Sequence, residues 1–150
     1  NESMTDVRGI VRWQLRNADA SVVCEKSREI VVPALTSVWM DKVLMDDVDI
    51  YSQYVSYQFE TGGEVVSEGS VLFSYPKYFR FMNPQLTFRL EGDEIIVKAS
   101  SFAKGVEIRN TDDHLILSDN FFDMNAGEKR VKVIEGTTEG LRLRSVFDIH

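Results

Sequence analysis

Apolar and polar side chains alternate with a period of two along most of this sequence, in short runs separated by turn residues. Val7, Gly9, Val11, Trp13 and Leu15 alternate with Arg8, Ile10, Arg12 and Gln14. Successive side chains on a strand point to opposite faces, so this run reads as a strand with one apolar and one charged face. Asn17, Ala18 and Asp19 form a turn signal. Val22, Cys24, Ile30 and Val32 then share one parity, up to Pro33, which has no amide proton for a ladder. Val38 to Leu44 reads as a third strand, followed by an acidic loop at Asp46, Asp47 and Asp49. The clearest hairpin follows: Val55, Tyr57 and Phe59 alternate, Thr61-Gly62-Gly63 turns, and Val65 to Phe73 returns.

Residues 74–84 hold two prolines, Pro76 and Pro84, and read as a stiff junction. Beyond it the same grammar restarts. Leu86, Phe88 and Leu90 alternate, Glu91-Gly92-Asp93 turns, and Ile95, Val97 and Ala99 return. Val106 with Ile108, Val131 with Val133, and Leu141 with Leu143 mark later strands. Helix signals are nearly absent. Strands of roughly 5–8 residues with turns every ~8–12 predict an all-β fold of two tandem Ig-like antiparallel β-sandwich domains, residues 1–82 and 83–150. Halves of roughly 70–80 residues are each marginal, so they are expected to lean on each other or on further polypeptide.

The charge balance narrows the chemistry. Net charge is −7, from 24 acidic and 17 basic side chains, which disfavours nucleic acid. The chain opens on Asn1 without a charged, apolar leader, as a mature or excised polypeptide would. No apolar run reaches the ~18–20 residues of a membrane helix, so no membrane partner is expected. No cellular address is encoded; a soluble, periplasmic or secreted setting is compatible. The single cysteine, Cys24, permits no internal disulfide and reads as a small core hydrophobe. Two histidines, His114 and His150, offer no metal-binding pair, and no phosphate loop or Ser-His-Asp set is present. No metal or cofactor is expected.

Glycoside hydrolysis needs two carboxylates held about 5–9.5 Å apart. The acids here nominate no such pair; Asp112 and Asp113 adjoin in a turn. The densest polar segment is Ser118-Asp119-Asn120-Phe121-Phe122-Asp123, continuing to Glu128. Oxygens at 119, 120, 123, 125 and 128 invite a calcium reading, but their spacing departs from the EF-hand loop. The segment is instead expected to be a structured loop whose Asp and Asn bond backbone amides and whose Phe121 or Phe122 plugs the core. The Asp119 to Asp123 loop is expected to be a structural keystone, with Asp119→Ala costing roughly 1–3 kcal/mol if its carboxylate bonds buried amides. Of the aromatic residues able to stack on a pyranose, Tyr54 lies on the opposite parity from Tyr57 and is the expected sugar contact.

Leu117-Ser118-Asp119-Asn120-Phe121-Phe122-Asp123-Met124, with Gly127-Glu128, resembles the last domain of β-mannosidases of glycoside hydrolase family 2. Ala126 stands where that family commonly has proline. Leu141-Arg142-Leu143-Arg144-Ser145-Val146-Phe147-Asp148 resembles the family's terminal strand. Gly9 to Leu15, Val31-Val32-Pro33-Ala34 and Leu72 to Lys77 resemble the preceding domain, in the same order. The resemblance implies a non-catalytic accessory region. Its parent would hydrolyse terminal non-reducing β-D-mannose residues with retention, using two glutamates in an upstream barrel. It implies the catalytic barrel and N-terminal domains as partners, with carbohydrate a further one. Asn1-Glu2 resembles the end of that domain's opening strand, which would leave one sheet edge without its neighbour. Related exo-β-glucosaminidases share such tails, and a carbohydrate-binding module is the other alternative.

Overall fold

The computed structural model describes residues 1–149; His150 lies outside the described residues. The chain divides into two compact units, residues 1–17 with 22–73, and residues 18–21 with 74–150.

The first unit is one four-stranded antiparallel sheet. Its strands are β1 (Val7–Asn17), β2 (Val22–Val32), β3 (Gln53–Thr61) and β4 (Glu64–Leu72), in the order β2-β1-β3-β4. The hairpin turn at Gly62 and Gly63 adopts φ of +61° and +83°, which glycine reaches without a Cβ clash. Two other glycines make room for rings. A Cβ on Gly9 would stand 2.4 Å from the Phe59 ring, and one on Gly69 would stand 2.6 Å from the Tyr57 hydroxyl.

The strand expected over Val38 to Leu44 does not form; residues 33–49 carry no strand. Trp39 is 95% exposed and Leu44 73%. The segment has the side chains of a strand but no neighbour to complete a ladder, and unpaired backbone groups turn to water. Met40 and residues 42–45 instead border an apolar groove of about 450 Å³ with Val11, Trp13, Val55 and Val71 of the sheet and Phe73 just beyond it. Cys24, expected in a core, is exposed, because β2 is an edge strand with Val22 to Glu29 all open to solvent.

The second unit is a two-sheet structure. β5 (Thr87–Glu91), β6 (Glu94–Ala99), β10 (Gly127–Glu135) and β8 (Ile116–Leu117) form one sheet in the order β5-β6-β10-β8. β11 (Arg142–Arg144), β7 (Ala103–Arg109) and β9 (Phe122–Met124) form the other, in the order β11-β7-β9. Ile95, Val97 and Ala99 of β6, with Val131 of β10, join Ala103, Val106 and Ile108 of β7 and Phe122 and Met124 of β9 in one buried cluster. Both sheets therefore bury their apolar parity, as the alternation requires. A second aromatic group sits in the same unit: the rings of Phe79 and Phe81 lie 4.7 Å apart, and Phe102 lies 6.2 Å from Phe79 and 6.1 Å from Phe81.

This contrast in burial predicts a contrast in energy. Ile95 has no exposed surface, and Ile95→Ala should cost about 2–5 kcal/mol in denaturant melts. Val71 is 49% exposed, and Val71→Ala should cost less than about 1 kcal/mol. Equal costs at the two positions would contradict this assignment of the core.

Candidate functional site

The polar segment at residues 118–123 is where the chain crosses from one sheet of the second unit to the other. β8 ends in the first sheet at Leu117 and β9 begins in the second at Phe122. Four residues cannot run a ladder while changing sheets, so their backbone groups and those of their neighbours need side-chain partners.

Ser118 holds the first end. Its amide donates to the Lys132 carbonyl at 2.9 Å, and its Oγ accepts the Lys132 amide at 2.9 Å. Asn120 holds the second. Its Oδ1 accepts the Ile108 amide at 2.9 Å, and its Nδ2 donates to the Ile108 carbonyl at 3.0 Å. The carboxamide thus imitates a neighbouring strand beside β7. The same Oδ1 accepts the Phe121 amide at 3.0 Å, which fixes the turn. Phe121 has φ of +60° and is 65% exposed, while Phe122 is buried in the core cluster. Of the two phenylalanines, Phe122 is therefore the plug.

Asp123 caps a bulge. Ala103 pairs with Met124 and Val106 with Phe122, so Lys104 and Gly105 together oppose the single residue Asp123. Its Oδ1 accepts the Gly105 amide at 2.8 Å, and its Oδ2 meets the Lys104 ammonium at 2.8 Å. Gly105 takes the positive φ, +60°, that such a bulge asks of it.

The condition that the Asp119 carboxylate bonds buried amides is not met. That carboxylate pairs with the Lys129 ammonium at 3.0 Å, and the side chain is 46% exposed. The amide in reach of this turn is taken by Asn120 instead, because the carboxamide carries both an acceptor and a donor for the Ile108 pair. Lys129 in turn lies 4.7 Å above the Phe122 ring, a cation–π contact.

The carboxylates at 119, 123 and 128 do not converge on a cation site. Asp119 meets Lys129, Asp123 meets Lys104, and Glu128 meets Arg89 in a two-pronged contact of 2.6 and 3.0 Å. Among the described residues no group of three or more His, Cys, Asp or Glu side chains is placed to hold a metal.

The expected sugar contact is corrected. Tyr54 is fully buried at 0% exposure, so neither ring face is free to stack on a pyranose. Tyr57, expected in the core, is 42% exposed. The parity was inverted because Val55 and Tyr57 lie on the sheet face that borders the open groove, while Tyr54 lies on the other. No sequence signal distinguishes the two, since both rows of β3 carry a tyrosine.

Beyond its own geometry, the chain matches known families along its length. Residues 1–78 match the model of the mannosidase Ig/CBM-like domain, and residues 81–149 match an Ig-fold domain of the mannosidase type. A β-D-mannosidase from Dictyoglomus thermophilum superposes on 97% of the chain with a TM-score of 0.77 and 16% identity. An exo-chitosanase from Amycolatopsis orientalis does so over 97% with a TM-score of 0.60 and 12% identity. The chain spans only 19% of the mannosidase and 24% of the exo-chitosanase. No curated protein sequence matches it.

Two outcomes follow from this geometry. Asn120→Ala strands the Ile108 amide and carbonyl inside the second unit and should cost about 1–3 kcal/mol, whereas Asp119→Ala removes only a half-exposed ion pair and should cost less than about 1 kcal/mol. Chemical denaturation of both variants decides the order, and a larger loss at Asp119 would contradict it. The second outcome concerns pH. Hydrogen bonds from Arg89 hold Glu128 and Glu91 below the usual glutamate range, Glu91 with help from Arg130. A hydrogen bond from Arg109 does the same for Asp113. Carboxylates depressed in the folded state stabilise it above their unfolded pKa, about 4, and lose that contribution as pH falls through the lower folded values. Melting temperature should therefore drop below about pH 4, and Glu128→Gln should flatten the drop.

Proposed function

Because the chain belongs to the mannosidase Ig/CBM-like domain family, we propose that it is a non-catalytic accessory region of a larger glycoside hydrolase of family 2. Residues 1–82 and 83–150 act as two tandem Ig-like domains of that region. The parent hydrolyses terminal non-reducing β-D-mannose residues, and this region supports the catalytic barrel and shapes its entrance or assembly. The observation that carries the reading is the continuous match. Both halves, in order, fit 97% of the chain to a 19% portion of a β-D-mannosidase.

The disposition of charge supports a structural role. Every carboxylate of the 118–128 segment is matched to its own cation, and three residues of the motif replace backbone ladder bonds. A catalytic carboxylate works with a perturbed, unpaired partner near the scissile bond. The exo-chitosanase match favours a second reading, the tail of an exo-β-glucosaminidase, with the lower TM-score of 0.60.

The test compares three samples on chromogenic β-mannoside and β-glucosaminide: this chain alone, the parent enzyme, and the parent lacking these residues. The chain alone should show no turnover. The parent should prefer the mannoside, and the shortened parent should lose both melting temperature and most of its kcat/KM. Turnover by the purified chain, or a shortened parent of unchanged activity and stability, would sink the proposal.

A further inference from the structure

We propose that the first unit carries a binding groove for a neutral oligosaccharide, formed around Arg8, Ile10, Glu29 and Glu60. These residues line a groove of about 540 Å³ that is also bordered by Val31 and the Thr61-Gly62-Gly63 turn. Ile10 of β1 is paired with Glu29 of β2 on one side and Glu60 of β3 on the other. Residues directly opposite one another share a face, so the two carboxylates stand on either side of one aliphatic side chain. With strands about 4.8 Å apart, their Cα atoms are roughly 10 Å apart. Arg8 lies two residues before Ile10 and therefore on the same face. Val31, opposite Arg8, extends the aliphatic floor.

A pyranose has an apolar C–H face and a rim of hydroxyls, each both donor and acceptor. The row supplies what that shape asks for. Ile10 and Val31 offer the floor, Glu29 and Glu60 accept hydroxyl protons, and Arg8 donates. Glu60 is already oriented, since its Oε1 accepts from Arg12 Nε at 3.1 Å and from Gln58, and the residue lines the groove. The wall is open at the turn, where nothing lies within 4 Å of the positions a Cβ would take on Gly62 and Gly63. Glu60 is paired with Arg12, and Arg8 and Glu29 line the groove with opposite charges, a balance that suits an uncharged ligand over an ion. The aromatic platform expected at Tyr54 is thus replaced by an aliphatic floor with flanking carboxylates.

This inference takes from the accessory-region reading only that glycans lie within reach, and each can fail without the other. The probe is β-1,4-linked mannotriose, titrated into the chain and followed by amide shifts and calorimetry. Shifts should concentrate at Arg8, Ile10, Gly62 and Gly63. Glu29→Gln and Arg8→Gln, both at exposed strand positions, should weaken binding at least about tenfold, a change of ~1.4 kcal/mol, with unchanged melts. Absent shifts at about 20 mM sugar, an affinity weaker than most specific ligands show, would overturn the proposal. So would shifts confined to other residues, or variants that bind as well as the parent chain. A groove that fails this test leaves the three-sample activity comparison untouched.

Discussion

A strand exists only beside a partner that takes its backbone hydrogen bonds, and this requirement decides most of what the chain does. In the second unit it is met twice over: two sheets close on Ile95, Val97, Val106, Ile108 and Val131, all at or near zero exposure. In the first unit four strands satisfy one another edge to edge, while the strand-like residues 38–44 find no ladder and border an apolar groove. The same side-chain alternation thus yields a packed core in one unit and a half-covered face in the other. What differs is the supply of backbone partners, not hydrophobicity.

The crossing at residues 118–123 shows how the requirement is met where no ladder can run. Ser118 Oγ stands in for a carbonyl toward Lys132, the Asn120 carboxamide stands in for a whole residue toward Ile108, and Asp123 caps the amide left over by the Lys104-Gly105 bulge. Each substitution uses the shortest side chain with the required donor and acceptor set. Buried amides left without such partners would cost on the order of 1–3 kcal/mol each, a large share of a small domain's stability.

Much of this was legible in the sequence, and the misses share a cause. The antiparallel all-β class followed from the alternation, and the hairpin at Thr61 to Gly63 from its glycines. The 118–123 segment was legible as a loop bonding backbone amides, and Phe122 as one of two candidate plugs. Which acid or amide did the bonding was not: Asp119 and Asn120 are neighbours of similar size, and only the position of Ile108 selects the carboxamide. Tyr54 and Tyr57 were misjudged because period two separates a strand's faces without saying which is covered, and Cys24 and residues 38–44 because alternation does not say whether a strand lies at an edge or has a partner at all. The row of Glu29, Ile10 and Glu60 was invisible for the complementary reason, since register across three strands brings together residues up to fifty positions apart.

The motif that carries the family resemblance is also the motif whose polar atoms are used up in holding two sheets together. The solved structures similar to this chain at 12–16% identity include both a mannosidase and an exo-chitosanase. A crossing between sheets imposes the same donor and acceptor geometry whatever glycan reaches the active site. On the reading proposed above, specificity for a sugar rests on side chains that hold no backbone groups, in a parent's catalytic barrel or in surface rows such as Glu29, Ile10 and Glu60.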